Sequence, residues 1–428
     1  MSRIAVTGIG LVCPLGVGID YVWPKLMSGM SGIISTGIRN EEFVRHARAH
    51  VGGFIPLGTE QGQFDKSNPL VNKKGISGFI KYAILAADEA LRDAGWTELT
   101  DEQREYTGVT IGNGMGSLRV IEERLHIARD MMVAKPDAIL LGCYGPFFIP
   151  GILPNLAAGN VSMTFGLKGP NRSVNTACAS GLYSVEDGAA MIRNGDAKVV
   201  VAGSTEGDMA LTAICGFDAM NALSRKYNEE PHRASRPYDK NRDGFVMSEG
   251  AGILILEEFG HAQKRGARIY AEYLGAGLTS DAYHISAPSG EGSERAMRLA
   301  LKKSGVNPEQ IGYIGTHATS TNLGDKSEVE SMSRVFGKHI YNLKFSAVKS
   351  LIGHMLGAAS GAECAILIKS LAEQKIPPTI NVDEPDTFME GLDYVPHPST
   401  SHSFEYAMKN SFGFGGSNAA AVFRRIYS

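Results

Sequence analysis

Short, nearly continuous apolar runs alternate along this chain with stretches whose apolar residues recur every three to four positions. That alternation predicts buried strands interleaved with helices. The run 4–10 predicts a strand ending in glycine, 22–27 a short helix, and 29–34 a turn. A glycine-broken connection spans 51–64. Over 78–94, Ile80, Ala83, Ile84, Ala87, Ala90 and Leu91 fall at helical spacing, and Gly95 ends the helix. Strand 107–111 runs into the glycine-rich turn Gly112-Asn-Gly-Met-Gly116 and then into a helix over 118–131; 142–158 begins irregularly. Residues 172–175 predict a strand end, followed by a turn of small residues. A helix then continues through Leu182, Val185, Ala189 and Ile192 until Gly195 stops it. Strands at 199–203 and 252–257 close this part.

The second part repeats the order of the first. Helix 296–305 echoes 86–95, and strand 311–315 follows it as 107–111 follows its counterpart. The pair 345–348 plus helix 356–371 occupies the place of 174–175 plus helix 178–192, and strand 418–424 mirrors 252–257. This self-similarity predicts a duplicated β/α half, residues 1–260 and 261–428, packed as mixed sheets between helix layers. The helices after Cys178 and after His354 are expected at the buried centre.

Composition narrows the function classes. The 428 residues are 43% hydrophobic and 20% charged, ordinary for a globular protein. Lys+Arg 42 against Asp+Glu 45 gives −3, which argues against a nucleic-acid binder with a broad basic face. Five cysteines without paired short spacing argue against a disulfide framework or a zinc site and fit a reducing intracellular compartment. No apolar run approaches a bilayer span, and the first strand begins at Ile4, so no signal or transit peptide is expected within this sequence.

Four stretches carry candidate chemistry. In Ser173-Val-Asn-Thr-Ala-Cys178-Ala-Ser-Gly181 a thiol stands at the first turn of a helix. Backbone N–H groups and the helix dipole there are expected to lower its pKa. Taken alone, the stretch fits a small cysteine packed under a helix better than a reactive one. Tyr313-Ile-Gly-Thr-His317-Ala-Thr319-Ser-Thr321 puts a histidine at a strand's C-terminal end among hydroxyls, which suits a ligand site or a hydrogen-bonded structural histidine. Lys349-Ser-Leu-Ile-Gly-His354-Met-Leu-Gly-Ala-Ala places His354 at the start of an Ala/Gly-rich helix, where the positive terminus favours a neutral imidazole. Asn410-Ser-Phe-Gly-Phe414-Gly-Gly-Ser-Asn418 predicts a tight turn beside an apolar slot, whose N–H groups suit half of an oxyanion hole.

In combination and in this order, these motifs resemble the elongating β-ketoacyl-ACP synthases, and the resemblance runs from Val6-Thr-Gly-Ile-Gly-Leu11 to Asn418. It includes Asp243-Gly-Phe-Val-Met-Ser-Glu-Gly-Ala-Gly252 and Ser280-Asp-Ala-Tyr-His284. His317-Ala-Thr-Ser-Thr departs from the bacterial His-Gly-Thr-Ser-Thr and is similar to mitochondrial members. Asn322 stands where proline is usual, and Ser417 where threonine is usual. The resemblance implies an α/β thiolase-like fold, a five-layered αβαβα arrangement of two duplicated β/α halves.

It also implies a reaction. Cys178 takes the acyl group from acyl carrier protein (ACP), and the N–H groups of Cys178 and Phe414 stabilise the oxyanion. His317 and His354 stabilise the enolate formed when malonyl-ACP loses carbon dioxide, and the carbanion attacks acyl-Cys178 to give 3-ketoacyl-ACP in type II fatty acid elongation. No metal or organic cofactor is implied beyond the phosphopantetheine arm. Lys349 orients the site, and Glu363, grouped with the substrate-binding positions, supports it from behind. Thr319 and Thr321 match pantetheine-contacting positions; Met115, Phe147 and Phe148 match positions lining the acyl tunnel at a dimer interface; Lys73 and Lys74 match part of the carrier-protein docking patch. A homodimer is implied, without nucleic-acid partner or membrane insertion, in the mitochondrial matrix or, alternatively, the bacterial cytoplasm. The competing readings are a polyketide-type ketosynthase and a non-catalytic chain-length-factor-like partner. Partners of that kind lack the nucleophile, and Cys178 and both histidines are present here.

Overall fold

The two halves build sheets of the same strand order. A computed structural model describes residues 2–207 and 209–426. Its main strands are β1 (Ile4–Cys13), β2 (Thr107–Gly112), β3 (Asn171–Arg172), β4 (Val199–Glu206), β5 (Gly250–Glu258), β6 (Ala271–Ser280), β7 (Ile311–Gly315), β8 (Lys344–Ser346), β9 (Tyr406–Gly413) and β10 (Ser417–Arg425). In the first half β1 pairs antiparallel with β5, β5 antiparallel with β4, β4 parallel with β2, and β2 parallel with β3. In the second, β6, β10, β9, β7 and β8 repeat those four pairings with the same signs. Residues 4–6 of β1 pair with 271–273 of β6 and join the two sheets edge to edge.

Each sheet is covered on both faces. The main helices are α1 (Gly78–Asp93), α2 (Leu118–Ala134), α3 (Leu156–Phe165), α4 (Ser180–Arg193), α5 (Glu291–Ser304), α6 (Asn322–Phe336) and α7 (Ala359–Glu373). Along β5, Ile253 and Ile255 pack with α1 and α3 on the outer side, whereas Leu254 and Leu256 pack inward with α4 and α7. This is the two-residue period of a strand buried on both faces. The second sheet does the same with α5 and α6 outside, using Ala420 and Val422 against Ala419, Ala421 and Phe423. Five layers result, with α4 and α7 in the middle.

The central pair explains the Ala/Gly-rich helix sequences. Every residue of α7 from Ala359 to Leu371 is buried. A Cβ on Gly181 would stand 2.3 Å from the Gly361 nitrogen, and one on Gly361 would stand 2.6 Å from the Gly252 carbonyl oxygen. Backbone meets backbone at this crossing, so only glycine fits.

The structure changes several sequence expectations. Strand 172–175 shrinks to Asn171–Arg172, and a 3₁₀ turn, Ala177–Ala179, precedes α4. The turn expected over 410–418 narrows to 414–416, because β9 runs through Gly413 and β10 starts at Ser417. Residues 142–158 hold two short helices, Leu141–Tyr144 and Phe148–Ile152, before α3. No helix among the described residues is long and apolar enough to cross a membrane.

Candidate active site

The duplicated halves each place a strained elbow at the start of a central helix. Ala177 has φ +49° immediately before Cys178, and Leu356 has φ +47° immediately before Gly357 at the matching position. Non-glycine residues in this region cost about 1–3 kcal/mol and persist only where the surroundings hold them. Ser180 does part of that holding: its hydroxyl accepts from the Thr176 N–H at 2.9 Å and donates to the Ala177 carbonyl at 2.7 Å. The Cys178 carbonyl accepts from Ser411 Oγ at 3.0 Å and Ser360 Oγ at 3.2 Å, so β9 and the partner helix α7 both grip the elbow.

His354 stands against the thiol. Its Nε2 lies 3.1 Å from Cys178 Sγ. His354 sits in a short bridge rather than in the helix: its N–H donates to Val246 O at 2.7 Å, and its carbonyl accepts from Ser248 N–H at 2.9 Å. The His317 ring meets the His354 ring edge-on at 5.6 Å, and Phe412 and Phe245 flank the pair. Burial, reinforced by Lys349, holds both imidazoles well below their ordinary pKa. A neutral His354 was expected from a helix terminus; the structure supplies burial and nearby lysines as the cause for both rings.

The thiol corrects a second expectation. Its place at a helix start predicted a lowered pKa, yet burial pushes Cys178 up to about 11, with Lys349 and then the Phe414 N–H opposing the rise. The resting group is a neutral thiol beside a neutral imidazole.

Behind the histidines lies a buried charge cluster. Lys349 Nζ is 2.6 Å from the His317 carbonyl and 2.5 Å from Glu363 Oε1, and Lys409 Nζ is 2.7 Å from Glu363 Oε2. Burial lowers the Lys349 pKa against the pull of Glu363. Glu363 therefore faces two lysines and not the cavity, which corrects its grouping with substrate-binding residues. Two further carboxyl groups, unmarked by any sequence motif, brace the site. Glu328 accepts the His317 N–H at 2.9 Å and the Ala318 N–H at 2.7 Å. Glu206 accepts the Gly114 N–H at 2.9 Å and the Gly357 N–H at 3.1 Å, and burial raises its pKa to about 8. Each is a lone acidic residue at the end of a strand or inside a helix, so only the fold reveals its partners.

Cys178, His317 and His354 line a cavity of about 490 Å³. Met115, Phe217 and Phe414 line it as well, and Thr319 and Thr321 line the side toward α6, with their hydroxyls 3.0 Å apart. Phe147 and Phe148 are not on this cavity: Phe147 is 53% exposed, and the Phe148 ring packs on Tyr144. Lys73 and Lys74 are exposed at the surface, Lys73 donating to Thr164 Oγ1 at 3.1 Å. Among the described residues no group of three or more His, Cys, Asp or Glu side chains is arranged to hold a metal ion.

Comparison with known proteins meets this geometry from the other side. The family model for the beta-ketoacyl synthase N-terminal domain matches residues 1–262, and the one for the C-terminal domain matches 270–383. The chain is 43% identical to the 3-oxoacyl-[acyl-carrier-protein] synthase 2 of Rhizobium meliloti, covering 99% of each. It is 41% identical to the mitochondrial 3-oxoacyl-[acyl-carrier-protein] synthase of Arabidopsis thaliana, covering 99% of this chain and 93% of that one. A beta-ketoacyl synthase structure from Burkholderia phymatum superposes with a TM-score of 0.88 at 30% identity over both full chains. A ketosynthase solved with its acyl-carrier protein from a type II PKS superposes at 0.86, with 29% identity. The two family models together match most of the chain and these relatives match nearly all of it, so the chain belongs to the beta-ketoacyl synthase family.

Proposed function

We propose that the chain condenses acyl-ACP with malonyl-ACP, releasing carbon dioxide and 3-ketoacyl-ACP, through an acyl-Cys178 intermediate in type II fatty acid elongation. The observation that carries this reading is the 3.1 Å contact of Cys178 Sγ with His354 Nε2 on a cavity that His317 also lines. A non-catalytic partner would have no use for that contact. The relatives at 41–43% identity are named 3-oxoacyl-[acyl-carrier-protein] synthases, which favours elongation over a polyketide pathway.

The chemistry follows from the geometry. Cys178 attacks the acyl thioester as the thiolate, which the His354 Nε2–H stabilises across their 3.1 Å contact; the thiol proton is lost to solvent, and the departing pantetheine thiolate takes one up. The Phe414 N–H, which already opposes the rise in the Cys178 pKa, and the N–H of Cys178 stabilise the tetrahedral oxyanion. Malonyl-ACP then occupies the cavity. Ring N–H groups of the neutral His317 and His354 hydrogen-bond its thioester carbonyl as the carboxylate leaves as carbon dioxide. The carbanion attacks the acyl-Cys178 carbonyl, and collapse expels the Cys178 thiolate, which takes up one proton. The family's reaction needs no cofactor beyond the phosphopantetheine arm.

In this reading Lys349 positions His317, Thr319 and Thr321 contact the pantetheine arm, and Met115 borders the acyl chain. Lys73 and Lys74 greet the acidic carrier protein, and Phe147 and Phe148 act where a second copy packs. The two halves divide near residue 260, and the mitochondrial relative supports a matrix location. Incubation with acyl-ACP and malonyl-ACP should give 3-ketoacyl-ACP by mass. Cys178→Ala should lower the rate roughly 10³-fold or more, and Cys178→Gln should retain malonyl decarboxylation without condensation. A folded wild-type protein that elongates no chain length sinks the proposal.

A further inference from the structure

Lys409 belongs to no motif of the site, yet it is among the most buried charged residues, 1% exposed on β9. Its ammonium meets four oxygens: Gly315 O at 3.1 Å, Thr316 O at 3.0 Å, Asn410 O at 2.5 Å and Glu363 Oε2 at 2.7 Å. Burying an ammonium is costly unless it is fully paired, and a β-strand at this point needs only an apolar side chain for packing. An apolar residue here would strip three buried carbonyls of a donor and leave Glu363 with Lys349 alone. The carbonyls concerned are placed with consequence. Gly315 and Thr316 immediately precede His317, whose own carbonyl is held by Lys349, so two ammoniums sharing one carboxylate grip three consecutive carbonyls. Asn410, whose carbonyl completes the cage, also donates to Glu328, the acceptor of the His317 N–H. Beyond Asn410 the same strand supplies Ser411, which holds the Cys178 carbonyl, and then leads to the Phe414 turn.

We propose that Lys409 is a positioning residue, a built-in cation that ties the strand end carrying His317 to the strand leading to Phe414, so that the two halves of the site keep one relative geometry.

Two variants of the full chain test this. Lys409→Ala leaves a void lined by the same four oxygens, open to a small ammonium ion; Lys409→Met fills the volume without charge. Both should lower kcat for condensation and for malonyl decarboxylation on the order of 10- to 100-fold, the worth of a charged buried hydrogen-bond set, with little change in KM for acyl-ACP. Ethylammonium chloride should restore much of kcat and raise the melting temperature of Lys409→Ala, saturably. Tetramethylammonium chloride at equal ionic strength should do neither, and Lys409→Met should answer to neither salt. Should Lys409→Ala fail to fold, the kcat of a folded Lys409→Met decides. Wild-type kcat in either folded variant, or a Lys409→Ala defect that ethylammonium leaves untouched, overturns the proposal. The catalytic consequence rests on the condensation reading; the melting response needs no substrate, so the failure of one is distinguishable from the failure of the other.

Discussion

At the scale of single residues, two opposed effects meet at Cys178. A helix start and a lysine favour the thiolate; burial favours the thiol and wins, at about 11. The sign of the consequence is definite. Below pH 11 the neutral thiol dominates, so alkylation of the free enzyme by iodoacetamide should climb about tenfold per pH unit from 7 to 10. A plateau at neutral pH, read by mass spectrometry of modified Cys178, would show a preformed thiolate and refute the assignment. Lys349→Met should slow alkylation further at each pH, since it removes the largest charge opposing the rise. Residue identities at the site were legible because each sits in a short motif whose chemistry is local: thiol at a helix start, histidine at a strand end, N–H groups in a glycine turn. Lys409, Glu328 and Glu206 were not, because their partners lie far off in sequence. One signal for Lys409 existed, a lysine set among Ala407, Met408 and Asn410 in what proved to be a buried strand.

Among elements, the repeat was readable wherever side chains alone declare burial. Apolar runs at 107–111, 199–203 and 252–257 became strands, and the spacing over 78–94 became α1. Strands β6 and β9 escaped notice because charged or amide residues interrupt them. Glu272 in β6 is satisfied by Arg3 at 2.6 Å and by Arg424, and Lys409 in β9 by Glu363. Polarity in these strands marks a paired interior group, which only the folded neighbours disclose. Glycine content told the opposite story, pointing correctly to close approach in the central layer. Gly361→Ala forces a Cβ to within 2.6 Å of both the Gly252 carbonyl oxygen and Ser204 Oγ. Overpacking of this kind costs roughly 1–3 kcal/mol, so the urea midpoint should fall clearly. Gly216→Ala, in the helix Leu211–Ala219 with no atom within 4 Å of the added Cβ, should hold or raise it. Equal midpoints for the two variants would mean that α7 does not approach β4 and β5 as closely as described.

For the whole molecule, the outer surface carries an apolar face that the chain does not cover itself. Helix α2 buries only Ala128, leaving Leu125, Ile127, Met132 and Val133 exposed. Beside it, Ile139 is 79% exposed, Leu141 80% and Ile149 54%. A face of this kind marks an interaction surface. On the proposed reading the occupant is a second copy, for which β3, an exposed two-residue strand at the edge of the first sheet, supplies a free edge. Phe147, which does not line the single-chain cavity, is 53% exposed as well. Light scattering should therefore give twice the chain mass at micromolar concentration. Leu141→Asp combined with Ile149→Asp should give the mass of one chain, with secondary structure retained, because both side chains are exposed in the chain alone and their loss empties no core. On the proposed reading, in which Phe147 and Phe148 act where a second copy packs, condensation should fall with dimer content. A wild-type mass of one chain, or a double variant that remains dimeric, would send the search for the occupant of this face elsewhere.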